Sequence, residues 1–278
     1  MYRRLPFLTC LALMAAWPAA MAGEAPGPRA LAGRTITLPL PAGLTRIYLP
    51  AGHDPAKSWP LIVYLPGRPG DPNGSLAIWK KKADARGFVV AVPVPQHPDA
   101  MEGYADIVPV AMVRAAVQAA SVDPRRTAIV GHLSAGSGGG RTVFDYPGLA
   151  AALVVVGSAP PRMRAAGDLV PSVPPLLFLL SDPRSTAAAR KFAKDSPGLQ
   201  VSVGQLPAAR DKPGEPTVTA VLTWLGRQIK LGAGPASRPP AVAPDPAAAA
   251  KLLRRAAGLQ KRGAEAGAYI LLLRAARL

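Results

Sequence analysis

The sequence predicts an α/β protein built on a largely parallel sheet with helices on both faces and antiparallel strands at its N-terminal end. Three observations carry this expectation. Most strand-like runs are apolar at every position, as expected of strands buried on two sides. From about residue 60 those runs alternate with segments of helical periodicity. Gly, Pro and Asp punctuate the junctions between them.

The elements follow in order. "RTITLPL" and "TRIYLP" have alternating character and no helix between them, which gives the antiparallel start. "WPLIVYLPG" is a fully apolar strand ending in a Pro/Gly turn, and "LAIWKKKADARG" is a helix closed by Gly87. "FVVAVPVP" is again a buried strand. In "DIVPVAMVRAAVQAASV", Ile107, Val110, Ala111, Val113, Ala116 and Val117 recur at helical spacing, and Pro109 fits the first turn. "RRTAIVG" is a strand that runs into a glycine-rich bend and a helix. "AALVVVGSAPP", "PPLLFLLSD" and "LQVSVGQLP" are strands, while "TAAARKFAKDS" and "EPTVTAVLTWLGRQIK" are helices.

Outside this region the composition changes. Arg3 and Arg4 precede the apolar stretch "LPFLTCLALMAAW", and "AMA" at 20–22 offers small residues for cleavage, so 1–22 reads as a signal peptide and the protein as secreted or periplasmic. Cys10 is the only cysteine; a chain cleaved after Ala22 has no disulfide and no thiol nucleophile. The main domain spans 31–230. Residues 231–248 are Pro/Ala-rich and read as a linker, and 249–278 as a short helical hairpin with an apolar face for a protein partner.

Hydrophobic residues make up 49% of the 278, without a long apolar run in the middle, so a soluble domain with an aliphatic core and no span after signal cleavage is expected. The formal charge of +17 suits attraction to anionic polymers or envelopes. Its basic residues are scattered without aromatic interleaving, which argues against specific nucleic-acid binding. No His/Asp/Glu cluster has metal-ligand spacing, and no cofactor is expected.

The chemistry concentrates in "IVGHLSAGSGGGRT", 129–142. A strand, a tight turn and a helix can thrust one side chain into the crevice at the carboxyl edge of an α/β sheet. The turn needs small neighbours, which suits Ser134 with Ala135 and Gly136 behind it. The same stretch half-matches a phosphate loop, but Ala135 replaces its first glycine and Arg141 its lysine.

Four blocks, in order, resemble secreted esterases of the polyhydroxyalkanoate-depolymerase and feruloyl-esterase kind, within the α/β-hydrolase family: "YLPAGHDPAKSWPLIVYLPGRPG", "WKKKADARGFVVAVP", "DIVPVAMVRAAVQAASVDPRRTAIVGHLSAG" and "YPGLAAALVVVGSAPP". The likeness runs from about Arg34 to Lys230. It implies an α/β-hydrolase fold and hydrolysis of carboxylic esters. Ser134 matches the nucleophile, the Ala135 and Arg68 amides the oxyanion donors beside Gly67, and Asp182 the triad acid. Two departures stand out near the bend: Pro66 replaces the usual histidine of "HG", and His132-Leu133-Ser134 replaces Gly-x-Ser, with His132 at the position where strand and helix press together.

The general base has no match. The family's histidine lies in the loop that here reads "AARDKPGEP", without an imidazole. Arginine is no base near neutral pH and a hydrated lysine is mostly protonated. Of the three histidines, His53 fits a packing or capping role, which leaves His132 and His97 as candidate bases. Two functions therefore stay open: a serine esterase with a degenerate or rewired triad, acting on a small or polymeric ester, or a non-catalytic module that holds an ester, glycan or peptide in the same crevice.

Overall fold

The computed structural model describes residues 31–40, 43–67, 71–95, 108–146, 148–160, 173–206, 213–231 and 236–237. The regions read as signal peptide and C-terminal hairpin, and nearly all of the linker, lie outside them. Antiparallel strands β1 (Thr35–Leu40) and β2 (Gly43–Tyr48) open the domain, followed by β3 (Lys57–Leu65) and helix α1 (Pro72–Arg86). Strand β4 (Val89–Pro95), helix α2 (Val108–Ala119), strand β5 (Val122–His132) and helix α3 (Ser134–Asp145) come next. The series closes with β6 (Ala152–Val156), β7 (Leu176–Leu180), α4 (Pro183–Asp195), β8 (Val201–Gln205) and α5 (Glu215–Gln228).

The strand order is β1-β2-β4-β3-β5-β6-β7-β8. Strand β2 pairs antiparallel with β4; from β4 through β3 to β8 every pairing is parallel. All the parallel strands therefore end on one edge, where Gly67, Leu133, Ser158 and Asp182 follow β3, β5, β6 and β7. A short strand β9 (Ala236–Ser237), inside the stretch read as a linker, pairs with Lys57 and Ser58 at the start of β3.

The alternation of side chains explains why the strands are apolar throughout. Leu61, Val63, Leu65, Ile129, Leu153, Val155 and Phe178 join one core cluster, packed with α2 and α3. Ile62, Tyr64, Ala128, Val130, Val154 and Leu179 face the other way, against α1 and α5. Each fully buried aliphatic side chain contributes about 1.5–3 kcal/mol relative to exposure, so a polar residue on either face is costly.

Local signals fix the helix ends. The Asp71 carboxylate accepts from the Gly74 amide at 2.7 Å, and Pro72 follows at the first helical position. Gly87, at φ 66°, closes α1 through its amide to the Ala83 carbonyl, as its sequence position predicts. The guanidinium of Arg126 donates to the carbonyls of Ile229 (3.3 Å) and Lys230 (2.8 Å), tying the end of α5 to β5. No helix among the described residues is long and apolar enough to cross a membrane.

Candidate active site

At the carboxyl edge, β5 turns into α3 within a single residue, and that residue is Leu133. Its φ of 50° and ψ of −126° lie outside the regions open to L side chains. Its amide donates to the Val156 carbonyl at 2.7 Å, and its own carbonyl accepts from the Gly136 amide at 2.9 Å. Ser134 is already the first residue of the helix.

This corrects the sequence expectation, which put Ser134 on the strained turn. The close approach of strand and helix also falls elsewhere than expected. It is at Gly131 rather than His132: a Cβ on Gly131 would lie 2.6 Å from the Gly136 Cα and 2.7 Å from the Ala135 carbonyl oxygen. Residues 131–135 therefore read as a G-x-S-x-G elbow with leucine in the nucleophile's place, serine next and alanine last. In that motif the serine occupies the sharp turn itself. The signal was in the sequence, as a glycine two residues before Leu133 and a small residue two after.

Ser134 is exposed at the sheet edge. Its hydroxyl donates to the Gly67 carbonyl at 2.7 Å, so its single proton points at an acceptor that cannot remove it. Gly67 in turn lies hard against the turn: a Cβ there would come within 2.6 Å of the Leu133 Cβ and 2.7 Å of the His132 carbonyl. The carbonyl of Gly67 thus faces the elbow as an acceptor, the opposite polarity to an oxyanion donor. Ala135 is the second residue of α3, and its amide belongs to the first turn, whose amides have no partner within the helix. Arg68, the expected second donor, lies outside the described residues.

The histidines divide by position. His132 is 1% exposed, on the same face of β5 as Val130, with its ring 6.5 Å from that of Tyr64. It is an interior side chain, whereas the Ser134 hydroxyl is at the surface. Burial raises Tyr64 far above the ordinary tyrosine range, so it stays a neutral phenol beside the imidazole. His53 lies beyond the opposite edge of the sheet, where its Nε2 meets the Ala120 carbonyl at 3.0 Å. His97 and residues 207–212, where the family's base would sit, are outside the described residues.

Asp182 follows β7 at the expected edge, but its carboxylate is engaged. One oxygen accepts from the Ser185 amide at 2.8 Å, and the residue caps α4 with Pro183 behind it. Hydrogen bonds from Ser185 hold its pKa below the ordinary carboxylate value. Ser158 completes the edge: its hydroxyl oxygen is buried without a partner, and a Cβ on Gly136 would come within 2.5 Å of it. Among the described residues no three His, Cys, Asp or Glu side chains gather as a metal site.

No family model matches the chain, and no curated protein matches it. Solved structures do. A thermostable esterase superposes with a TM-score of 0.52 at 17% identity, over 70% of this chain and 62% of its own. A dienelactone hydrolase-like promiscuous phosphotriesterase from metagenomic libraries gives 0.55 at 16%, over 70% of this chain and 97% of that one. An S-formylglutathione hydrolase from Agrobacterium tumefaciens gives 0.51 at 14%, over 70% and 94%. The chain thus spans less than two thirds of the thermostable esterase and nearly all of the other two. These likenesses, with the strand order and helices on both faces, show the α/β-hydrolase fold.

Proposed function

We propose that this is an exported α/β-hydrolase-fold protein that holds a carboxylic ester in the crevice at the carboxyl edge of its sheet without cleaving it by the serine–histidine route. The observation that carries the reading is Leu133 at the strained turn, where the elbow motif requires the nucleophile. A leucine there offers no atom to attack an acyl carbon. The neighbouring serine, one residue into the helix, has its proton on a carbonyl and not on a base. Loss of a triad member costs several powers of ten in rate, leaving only what binding and oxyanion donors supply. Export rests on the signal-like residues 1–22. The ester class rests on the four sequence blocks similar to secreted polyhydroxyalkanoate depolymerases and feruloyl esterases, and on esterases among the proteins of like fold.

The second reading, slow ester hydrolysis through Ser134, is favoured by one observation: the hydroxyl is exposed, at the crevice edge, beside the Gly67 loop. A fluorophosphonate probe separates the two. Intact-mass analysis of the purified chain is expected to show no adduct, with p-nitrophenyl butyrate hydrolysed at the buffer rate. Stoichiometric labelling that disappears in Ser134→Ala would replace the binding reading with the esterase one. Binding itself is read by line broadening of methyl ferulate and of 3-hydroxybutyrate dimer in ligand-observed NMR. No broadening of either leaves the ester-holding reading without its ligand class.

A further inference from the structure

The loop joining β2 to β3 crosses the amino-terminal edge of the sheet, remote from the elbow, and packs on the junction between α2 and β5. His53 stands in the middle of that seam, 6% exposed. We propose that His53 is an acid-sensitive latch: as a neutral ring it clamps the β2–β3 loop to the α2–β5 junction, and on protonation it releases that seam.

The hydrogen-bond pattern sets the ring's state. A carbonyl only accepts, so the Nε2 atom 3.0 Å from the Ala120 oxygen carries the proton of the neutral ring. The other nitrogen, Nδ1, is then a bare lone pair, buried and without a partner. Adding a proton there creates a buried donor with nothing to accept it, together with a buried charge. The ring also lies 5.3 Å from that of Trp59, 25° from parallel, so it is held on its face as well as at its edge.

Among the described residues, the surroundings do not supply a strong counter-charge. Within the loop itself, Asp54 is the charged neighbour whose field favours a protonated ring, but its carboxylate accepts from the Ala56 amide and faces Lys57 at 3.7 Å. The α2–β5 junction contributes the Ala120 carbonyl, already used, and the Ser121 hydroxyl, which donates to the Pro55 carbonyl at 2.9 Å. Strand β3 contributes the Trp59 indole, whose N–H donates to the Asp54 carbonyl at 2.8 Å. Burial therefore outweighs Asp54 and the Ala120 bond, and lowers the His53 pKa from its ordinary value.

The linkage sign follows. Above the unfolded value of about 6.5 both folded and unfolded rings are neutral and the latch is intact. As pH falls below it, the released or unfolded ring takes up a proton that the closed seam refuses, so opening is favoured progressively. The seam contains the His53–Ala120 and Ser121–Pro55 bonds and the Trp59 amide to the Ser121 carbonyl at 2.9 Å. Strand β9 pairs with Lys57 and Ser58 at its border, so the seam also sits beside the returning C-terminal chain.

The test uses the full-length protein. An NMR titration of the His53 ring, assigned by its loss in His53→Gln, is expected to show it neutral through the range where a free imidazole is half-protonated. Hydrogen exchange, corrected for intrinsic rates, is expected to lose at least tenfold protection over residues 50–59 and 119–122 between pH 7.5 and 5.0, with β6 unchanged. His53→Gln keeps a donor for Ala120 and removes the titration, so its protection should be alike at both pH values; His53→Phe serves if the glutamine variant does not fold. A ring that titrates at or above about 6.5, a seam equally protected at pH 5.0, or a loss that persists in the variants would each overturn the latch.

Discussion

Strand β5 is bounded at both ends by a non-glycine residue in left-handed backbone, and the two ends use that strain differently. At its start Ser121, φ 47°, is polar and fully employed: its hydroxyl donates to Pro55 and its carbonyl accepts from Trp59. At its finish Leu133, φ 50° and ψ −126°, has a branched apolar side chain and no polar contact beyond its backbone. Left-handed backbone suits short polar residues that bond locally, which accounts for serine. Nothing local accounts for leucine. A strained turn that carries an apolar side chain is the contrast on which the proposed non-catalytic reading rests.

The sharpest way to break the comparison is at the contacts that enforce the elbow. Gly131→Ala would drive a methyl into the Gly136 Cα and the Ala135 carbonyl, and is expected to cost about 3 kcal/mol in urea unfolding, the upper range for overpacking. Stability unchanged to within experimental error would mean that strand and helix are not pressed together there.

Next in size is a paired substitution at each end of β5. Leu133→Gly is expected to be more stable than Leu133→Ala by about 1–2 kcal/mol, because both lose the leucine side chain beyond Cβ and the backbone strain that only glycine escapes outweighs the single methyl that alanine keeps. The corresponding Ser121→Gly and Ser121→Ala pair should differ in the same direction by about 1 kcal/mol, the cost of a positive φ at a residue with a Cβ. Equal or inverted differences in chemical denaturation would remove Leu133 as the strained turn.

The smallest effect concerns Asp182. Asp182→Ala should lower the melting temperature by removing the cap of α4, while Asp182→Asn, which keeps an acceptor for Ser185, should leave it nearly unchanged at neutral pH. Because the folded carboxyl is held below its ordinary value, its contribution is complete above that value and disappears as pH falls through the lowered one. A loss of stability at the lowest pH that is the same in the wild type and Asp182→Asn would assign the acid sensitivity to other groups.

Much of the architecture was legible because its causes are local. Unbroken apolar runs announced strands covered on both faces, Gly87 announced the end of α1, and the absence of a helix between the first two strands announced the antiparallel pair. The site was legible only in outline. The sequence located the turn within 131–136, but it put the strain one residue late, and it gave Asp182 no role as a helix cap. The pattern Asp-Pro-x-Ser at 182–185 is equally a helix cap, and only the hydrogen bond to Ser185 shows that use.

By itself, then, the sequence determined the layering of the domain, the order of its elements and the strand after which the glycine-rich turn falls, since hydrophobic period and turn chemistry act over a few residues. The tertiary structure alone decided which residue occupies the elbow. That choice depends on contacts between segments far apart in the chain: Gly67 against Leu133, and the Leu133 amide on the Val156 carbonyl. A strand pressed onto a helix at Gly131 and flanked by two neighbouring strands leaves one backbone position to absorb the reversal, and packing assigns it to residue 133 whatever side chain stands there.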